Sequence, residues 1–293
     1  MKKGTFSKII FFVAISLAMQ VFICEIWFYF FHTDKPNVFL SANGEHFDAS
    51  LSRLNSISAF KSYCDSIYGS KQINPSDSEQ YATIVSIALR ERFYHGYSYY
   101  SLGQNSLASF VAPLLSDKLS AIVIPGDILQ HPHAACSQQS IVGMEVFKKK
   151  GFPVRKVGFF ADALGGHFCF EAFYNNQWHF FDPDLEPKLR LMIANHFPSI
   201  SDLAKNDTLV NQLYYKEDNK LIKKLLISYS YGAVNKFPAP NARIYQYITK
   251  YLSYTLWLWI ALAYLFVRKR LNFIKKKEQC AELPDSLVPE IRA

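Results

Sequence analysis

Two kinds of hydrophobic pattern organise the chain of 293 residues: long unbroken apolar runs near its ends and a two-residue alternation in its middle. The run from Ile9 to Phe31 contains a single charged residue, Glu25, and is long enough for a helix that crosses a bilayer. A second run, from Tyr251 to Val267, is at the short end of the spanning range, and tyrosine and tryptophan side chains of the kind that anchor helices at membrane interfaces lie around it. The sequence therefore predicts two transmembrane helices.

The alternation in the middle of the chain predicts a β-hairpin. It extends to both sides of Asn175 and Asn176 in the segment GHFCFEAFYNNQWHFFDPD. Two asparagines suit a type I′ turn, whose central residues need positive φ, and this two-residue loop sets Cys169 opposite Asp182. His167 is then the diagonal neighbour of Asp182, with Cα atoms about 7–8 Å apart. That separation allows a hydrogen bond between the imidazole and the carboxylate.

Cys136 offers a nucleophile to this pair. It precedes SQQSIVGMEVFKKKG, which predicts a helix from about Ser137 to Lys150 with Gly151 as its C-terminal cap. The positive end of a helix dipole and its unpaired N–H groups favour a thiolate. A nucleophile at a helix start, with a base and an orienting acid on neighbouring strands, is the papain-type arrangement for acyl transfer. The alternative is a buried structural cysteine beside an ordinary hairpin.

Residues from about 130 to 187 resemble the catalytic core of the transglutaminase-like superfamily. That family has a Cys at a helix start, Gly-x-Pro-x-Arg at a strand entry, Gly-His with Glu four residues on, then Trp and Asp-Pro. The same order occurs here, with 31 residues from Cys to His (167−136) and 15 from His to Asp (182−167). The matching positions are Cys136, GFPVR ending in Arg155, Gly166-His167, Glu171, Trp178 and Asp182-Pro183. The chain departs from the pattern at Ala134 and Ala135, where the family often has Gly or Trp, and at Cys169, where a large residue is frequent.

The resemblance implies an α+β fold with a papain-like, transglutaminase-like core, in which a helix packs on an antiparallel sheet. It also implies a Cys-His-Asp acyl-transfer enzyme that acts on amide or peptide bonds by hydrolysis or by transfer to an amine. Cys136 would be the nucleophile, His167 the acid and base, and Asp182 the residue that orients the imidazole. A catalytically silent binding module and a structural subunit of an envelope complex are the alternatives.

Further residues take supporting roles in this reading. Gln130 has the spacing to Cys136 of an oxyanion-hole glutamine in papain-like proteases, with a plain loop glutamine as the alternative. Arg155 is expected to pair with a buried carboxylate such as Glu171, and Trp178 to support the strand. Four residues could be taken for zinc ligands: His131, His133, Cys136 and His167. Nothing else at metal-site spacing supports a zinc site, so the sequence predicts neither metal nor cofactor.

The net charge of +8 reflects orientation in the membrane rather than nucleic-acid binding. Outside residues 33–250 there are 10 basic and 5 acidic side chains, a net of +5, and within them 22 and 19, a net of +3. The basic side chains flank both apolar runs on their outer ends, so both termini are expected in the cytoplasm and the domain between the runs outside it. The expected partners are membrane lipid and an extracytoplasmic peptide or protein substrate, with no nucleic acid.

The expected organisation places the catalytic core between two membrane helices and two mainly helical regions. In chain order it comprises a cytoplasmic N-terminus (1–8), a transmembrane helix (9–31), a mainly helical part of the exported domain (32–120), the catalytic core (121–190), a helical extension and linker (191–250), a second transmembrane helix (251–267) and a basic cytoplasmic tail (268–293).

Overall fold

The computed structural model describes residues 3–31, 46–70, 77–115, 117–161, 165–214, 226 and 228–281. The fold is α+β, as predicted, and the described strands form a four-stranded antiparallel sheet of order β3-β2-β1-β4. The strands are β1 (Val154–Ala161), β2 (Gly165–Tyr174), β3 (Gln177–Phe181) and β4 (Tyr229–Tyr231). The helices are α1 (Lys3–Phe31), α2 (Ile57–Ser70), α3 (Ser78–Arg92), α4 (Ser106–Leu115), α5 (Asp117–Ser120), α6 (Pro125–Ile128), α7 (Cys136–Lys150), α8 (Leu189–Ala194), α9 (Ile200–Leu203), α10 (Asp207–Leu213) and α11 (Pro240–Ala281).

The predicted hairpin is strands β2 and β3, and its register is confirmed. Tyr174 pairs with Gln177 and Phe173 with Trp178. Asn175 and Asn176 have φ of 47° and 61°, the left-handed conformation that a type I′ turn requires at both central residues. The ladder ends at Phe181, so Asp182 is the first residue beyond it. The turn therefore sets the register that brings Asp182, just after β3, close to His167 on β2.

Helix α7 packs against strand β2, as predicted for the core. It begins at Cys136 and ends at Gly151, which takes φ 101° as a C-terminal cap. Gly143 allows the close approach, because a Cβ there would lie 2.7 Å from ring atoms of Phe170. Phe147 adds aromatic contacts to Phe170 and Phe181, with ring centroids 5.7 and 5.0 Å apart. The start of α7 is thus held at a defined position against the sheet.

Arg155 and Glu171 join neighbouring strands, as the sequence analysis expected. They are register partners on β1 and β2, and Nε and Nη2 of Arg155 lie 2.7 and 2.6 Å from Oε2 of Glu171. Trp178 on β3 and Tyr231 on β4 cover the guanidinium, at 4.1 and 3.6 Å from their ring centroids. One cation thus contacts side chains of all three other strands and stabilises the sheet.

The region expected to be a helical extension and linker (191–250) also contains a strand. Its described residues include the short helices α9 and α10, while residues 215–225 and 227 lie outside the described ranges. Strand β4 (Tyr229–Tyr231) was not predicted. It pairs with β1, which is distant in sequence, and three residues are too few to signal such a contact. Asp77 caps α3, since its Oδ1 accepts from the N–H of Gln80.

One of the two predicted membrane helices has the length and composition to cross a bilayer. Among the described residues, only Pro240–Ile274 within α11 is long and apolar enough to cross a membrane, by length and composition, and it extends beyond the predicted 251–267 at both ends. Only 6% of its most apolar window is buried. The first apolar run does form a helix, α1, but its described apolar part, Lys8–Cys24, is shorter than a span. The prediction of two spans is therefore not supported.

The chain separates into two compact units. The first comprises Met1–Phe31, Ser101–Phe110 and Ile248–Ala293. Within it, Phe11 of α1 stacks on Tyr264 of α11 with centroids 3.8 Å apart, and Asn105 Nδ2 donates to Thr249 Oγ1 at 3.1 Å. The second unit comprises His32–Tyr100 and Val111–Tyr247, and it contains the sheet, α7 and every residue of the predicted triad.

Candidate active site

His167 and Asp182 meet at the open end of the hairpin. Nε2 of His167 lies 3.0 Å from Oδ2 of Asp182, the contact predicted from their diagonal positions. Phe159, the register partner of His167 on β1, stacks against the imidazole with centroids 5.7 Å apart. The side chain of His167 is only slightly exposed to solvent. The hairpin thus provides a histidine oriented by an acid.

Asp182 is held as a carboxylate by several donors. Oδ1 accepts from the backbone N–H groups of Asp184 and Leu185 at 3.3 and 3.1 Å. Tyr214, which follows α10, donates its hydroxyl to Oδ2 at 3.1 Å. Burial raises the pKa of Asp182, but the charge and hydrogen bond of His167 and the bonds from Leu185 and Tyr214 lower it further, so the net direction is downward. Asp182 is therefore ionised at neutral pH.

The same contacts act in the opposite direction on the histidine. Burial lowers the pKa of His167, while the neighbouring Cys169 and the charge and hydrogen bond of Asp182 raise it, as does Cys136. The net pKa lies well above the ordinary imidazole value of 6.5, and we assign the upward direction to the buried Asp182 carboxylate. The site therefore favours an imidazolium, which is the acid that an acyl-transfer reaction needs for its leaving group.

Cys136 lies beside this pair as the first residue of α7. Its Sγ, a ring nitrogen of His167 and a carboxylate oxygen of Asp184 lie within 4.8 Å of one another. The cysteine is 8% exposed, so an edge of it faces solvent. Gln138 fixes the helix start, because its Oε1 accepts from the N–H of Ala135 at 3.2 Å. Cys136, His167 and Asp182, which the sequence placed in one site, are thus neighbours in the fold.

Cys169 is a second thiol in contact with the histidine. Its Sγ lies 3.0 Å from the same Nε2 atom that contacts Asp182. The residue is 0% exposed, and burial together with the charge of Asp182 raises the pKa of its thiol well above the ordinary value. Cys169 is therefore a protonated thiol at neutral pH and is poorly suited to act as a nucleophile.

Asp184 is a site residue that the sequence analysis missed. Its Oδ1 lies 2.7 Å from Nδ1 of His95 and accepts from Nε2 of Gln139 at 3.4 Å. Only the Asp182-Pro183-Asp184 spacing signalled it, as a second carboxylate two residues after the first. Its partners come from the segment after α3 and from α7, which are distant in sequence.

Gln130 is exposed, in the turn that follows α6. The buried Arg92 fixes this turn, because its guanidinium donates to the carbonyl groups of Leu129 and His131. With both neighbours held, the side chain of Gln130 is directed to the surface. The polar side chain that α7 does bring to the site is Gln139, whose Nε2 also donates to the carbonyl of Ala134 at 2.9 Å.

Two groups of side chains in the described residues have the composition and spacing of metal ligands. One is Cys136, His167 and Asp184, and the other is His167, Cys169 and Asp182. The zinc ligands considered from the sequence also included His131 and His133, which belong to neither group. The acidic ligands of both groups come from the loop after β3, which no cysteine–histidine spacing reveals.

Comparisons with protein-family models, with curated proteins and with solved structures return no match. The functional reading of the site therefore rests on its own geometry and chemistry.

Proposed function

We propose that this protein is a thiol enzyme with a transglutaminase-like, papain-like core that transfers acyl groups from amide or peptide bonds. One observation carries the proposal: His167 contacts Asp182 at 3.0 Å and also lies within 4.8 Å of a cysteine at a helix start. Nucleophile, acid–base group and orienting acid are the three parts of a triad, and a triad is recognised by geometry and roles.

In the proposed reaction the Cys136 thiolate attacks the carbonyl carbon, and the carbonyl π electrons move to oxygen. The backbone N–H of Cys136, at the start of α7, supports the oxyanion; Gln130 would have to turn inward to add a second donor. His167 gives its proton to the leaving amine as the C–N bond breaks, which leaves a thioester. Water or an amine then loses a proton to His167, attacks the thioester and releases Cys136 as a thiolate. Asp182 stabilises the imidazolium throughout.

We further propose that the enzyme is anchored in a membrane and acts outside the cytoplasm. Helix α11 supports one span, and the contacts of Phe11 and Phe22 on α1 with Tyr264 and Trp257 on α11 are consistent with a paired second helix. Basic residues before the first run and after the second favour cytoplasmic termini. The substrates would then be extracytoplasmic peptides or proteins. A reporter that is active only after export should be active when fused near Asn206 and inactive after Ile274; the reverse pattern contradicts this orientation.

A catalytically silent module, or a structural subunit, is the rival function. The low exposure of Cys136 and the competition of Cys169 for His167 favour it, because a nucleophile must reach its substrate. Labelling with a thiol-reactive acyl probe in membranes separates the two functions. We expect covalent acylation at Cys136, lost in Cys136→Ala and retained in Cys64→Ala, since Cys64 is buried and burial raises its pKa to about 12. Equal labelling of both cysteines, seen only after denaturation, would contradict the enzyme.

A further inference from the structure

The group formed by Cys136, His167 and Asp184 has the donor set of a zinc site. Thiolate sulfur, imidazole nitrogen and carboxylate oxygen are the three protein ligands that Zn²⁺ takes, at about 2.0–2.3 Å. In a tetrahedral site at those distances, neighbouring ligand atoms are about 3.3–3.8 Å apart. The observed separations are within 4.8 Å, so a contraction of at most about 1–1.5 Å, within the range of side-chain rotation, would suffice.

Charge and coordination number also fit. When zinc takes the place of a proton on His167, a Cys136 thiolate and an Asp184 carboxylate carry two negative charges beside a neutral imidazole, which matches one divalent cation. Three protein ligands leave the fourth tetrahedral position for water or substrate, as in zinc sites that are not purely structural. The three residues come from three different elements, the start of α7, strand β2 and the loop after β3, so the fold rather than a local motif assembles them.

Surrounding hydrogen bonds orient two of the three ligands. Asp182 engages Nε2 of His167 at 3.0 Å, which leaves the other ring nitrogen for a metal and reproduces the carboxylate–histidine–metal arrangement. Asp184 is fixed by His95 and Gln139, and its side chain is 5% exposed. A buried carboxylate held beside a thiol and an imidazole is not required by the acyl-transfer mechanism above, whose acid is Asp182.

The second group, His167, Cys169 and Asp182, is a poorer candidate for the same ion. Cys169 is fully buried, and Asp182 already accepts from Tyr214 and two backbone N–H groups. A metal there would have to displace these bonds and deprotonate an inaccessible thiol. Cys136 and Asp184 lie nearer to solvent, so an ion reaches them first.

We propose that Cys136, His167 and Asp184 bind Zn²⁺ and that this ion competes with the acyl substrate for the Cys136 thiolate. Coordination removes the sulfur lone pair that attacks the carbonyl, so the zinc-bound protein is inactive and removal of zinc restores the thiolate. The binding part of this proposal stands on geometry alone, whereas the inhibitory part rests on the proposed function.

Zinc binding is tested directly with the metal-free full chain, in detergent, by competition against a colorimetric zinc chelator. A Cys24→Ser, Cys280→Ser background removes the thiols outside the catalytic unit. We expect one Zn²⁺ per chain, and affinity at least tenfold lower in Cys136→Ser and in Asp184→Asn. Cys169→Ser and Cys64→Ser are the matched controls and should bind zinc as the background does. Unchanged affinity in Asp184→Asn, or lost affinity in Cys169→Ser only, would overturn the assignment of ligands.

Absorption spectra with Co²⁺ in place of Zn²⁺ distinguish the loss of one ligand from a variant that fails to fold. The background protein should show thiolate-to-cobalt charge-transfer absorption, and Asp184→Asn should keep this absorption at higher Co²⁺ concentration while Cys136→Ser loses it. A protein that binds Co²⁺ with no thiolate band overturns the site.

The acyl-probe labelling then separates the two proposals. Zinc should block labelling of Cys136 and a chelator should restore it, with Asp184→Asn requiring at least tenfold more zinc. Zinc binding without acylation in any state leaves the metal site standing and removes the enzyme. Acylation that zinc does not inhibit leaves the enzyme standing and overturns the metal site. Acylation that requires zinc overturns the inhibitory role.

Discussion

The same hairpin carries two ionic pairs, and they differ in how completely their groups are satisfied. Near the turn, Nε of Arg155 donates to Oε2 of Glu171 and Nη2 forms an ion pair with the same oxygen, while the other oxygen of Glu171 accepts from the N–H of Ile200 at 2.8 Å. At the open end, Nε2 of His167 is shared between Asp182 and Cys169, each at 3.0 Å. A single ring N–H can point to only one of them at a time.

This difference separates a structural pair from a functional one. Both carboxylate oxygens of Glu171 have a partner, Arg155 for one and the N–H of Ile200 for the other, and Trp178 and Tyr231 cover the Arg155 cation. The Nε2 atom of His167, by contrast, has two possible hydrogen-bond partners for one N–H. His167 also has Cys136 as a neighbour, and that cysteine is partly exposed. We infer that the first pair holds the sheet together and that the second retains a group able to move a proton.

The largest effect is expected from Asp182→Asn. An amide stabilises the imidazolium poorly and can hold the wrong tautomer, so kcat/KM should fall by about 10²–10⁴ while the fold is kept. Asp182 raises the pKa of His167, and its loss should move the alkaline limb of the pH profile to lower pH, towards 6.5. Steady-state kinetics across pH, with the acyl substrate that the probe identifies, measure both changes. An unchanged rate constant would mean that this pair is structural as well.

Arg155→Ala should cost stability rather than turnover. It leaves the fully buried Glu171 carboxylate without its cation, which costs about 3–5 kcal/mol of unfolding free energy. Burial raises the pKa of Glu171, which the N–H of Ile200 and Arg155 lower only in part. Without Arg155 that pKa rises further, so the loss should be largest at neutral pH and should shrink as acid protonates Glu171.

Denaturant unfolding of this variant at several pH values measures the loss. Arg155→Lys is the matched control. It keeps the positive charge but lacks the guanidinium that presents two nitrogens to Glu171, so its stability should lie between those of the wild type and Arg155→Ala. A fall in kcat/KM as large as that of Asp182→Asn, with stability unchanged, would reverse the roles given to the two pairs.

Tyr214→Phe should have a smaller effect. It removes one hydrogen bond to the charged Asp182 oxygen, worth about 1.5–3 kcal/mol, and leaves the ring in place. Because that bond helps to lower the pKa of Asp182, the acid limb of activity should move to higher pH in the variant. The pH profile of kcat/KM measures this shift, and an identical acid limb would show that Tyr214 only packs.

Cys169→Ala should have the smallest effect. It removes the second partner of His167 Nε2 and leaves Asp182 as the sole acceptor, so kcat/KM should change by less than about tenfold. Abolished turnover in this variant, with Cys136 intact, would identify Cys169 as the nucleophile instead.

Local sequence predicted the parts of this site that depend on short spacing. Asn175-Asn176 fixed the register that sets Asp182 beside His167, and the capping glycine Gly151 closed the helix that begins at Cys136. Contacts from distant segments could not be read in the same way. Tyr214 and His95 reach the acidic loop from other elements, and Arg92 holds the turn in which Gln130 is exposed. Strand β4 likewise depends on pairing with β1 across some 70 residues of chain.

The most direct test of the central claim is the rate of iodoacetamide alkylation at each cysteine as a function of pH, mapped by mass spectrometry in the native protein. The account predicts that Cys136 is alkylated in the native protein, that Asp182→Asn slows this alkylation, and that Cys64 and Cys169 react only after unfolding. A Cys136 that reacts no faster than Cys64 at every pH, and is unaffected by Asp182→Asn, would contradict a thiolate–imidazolium pair at this site.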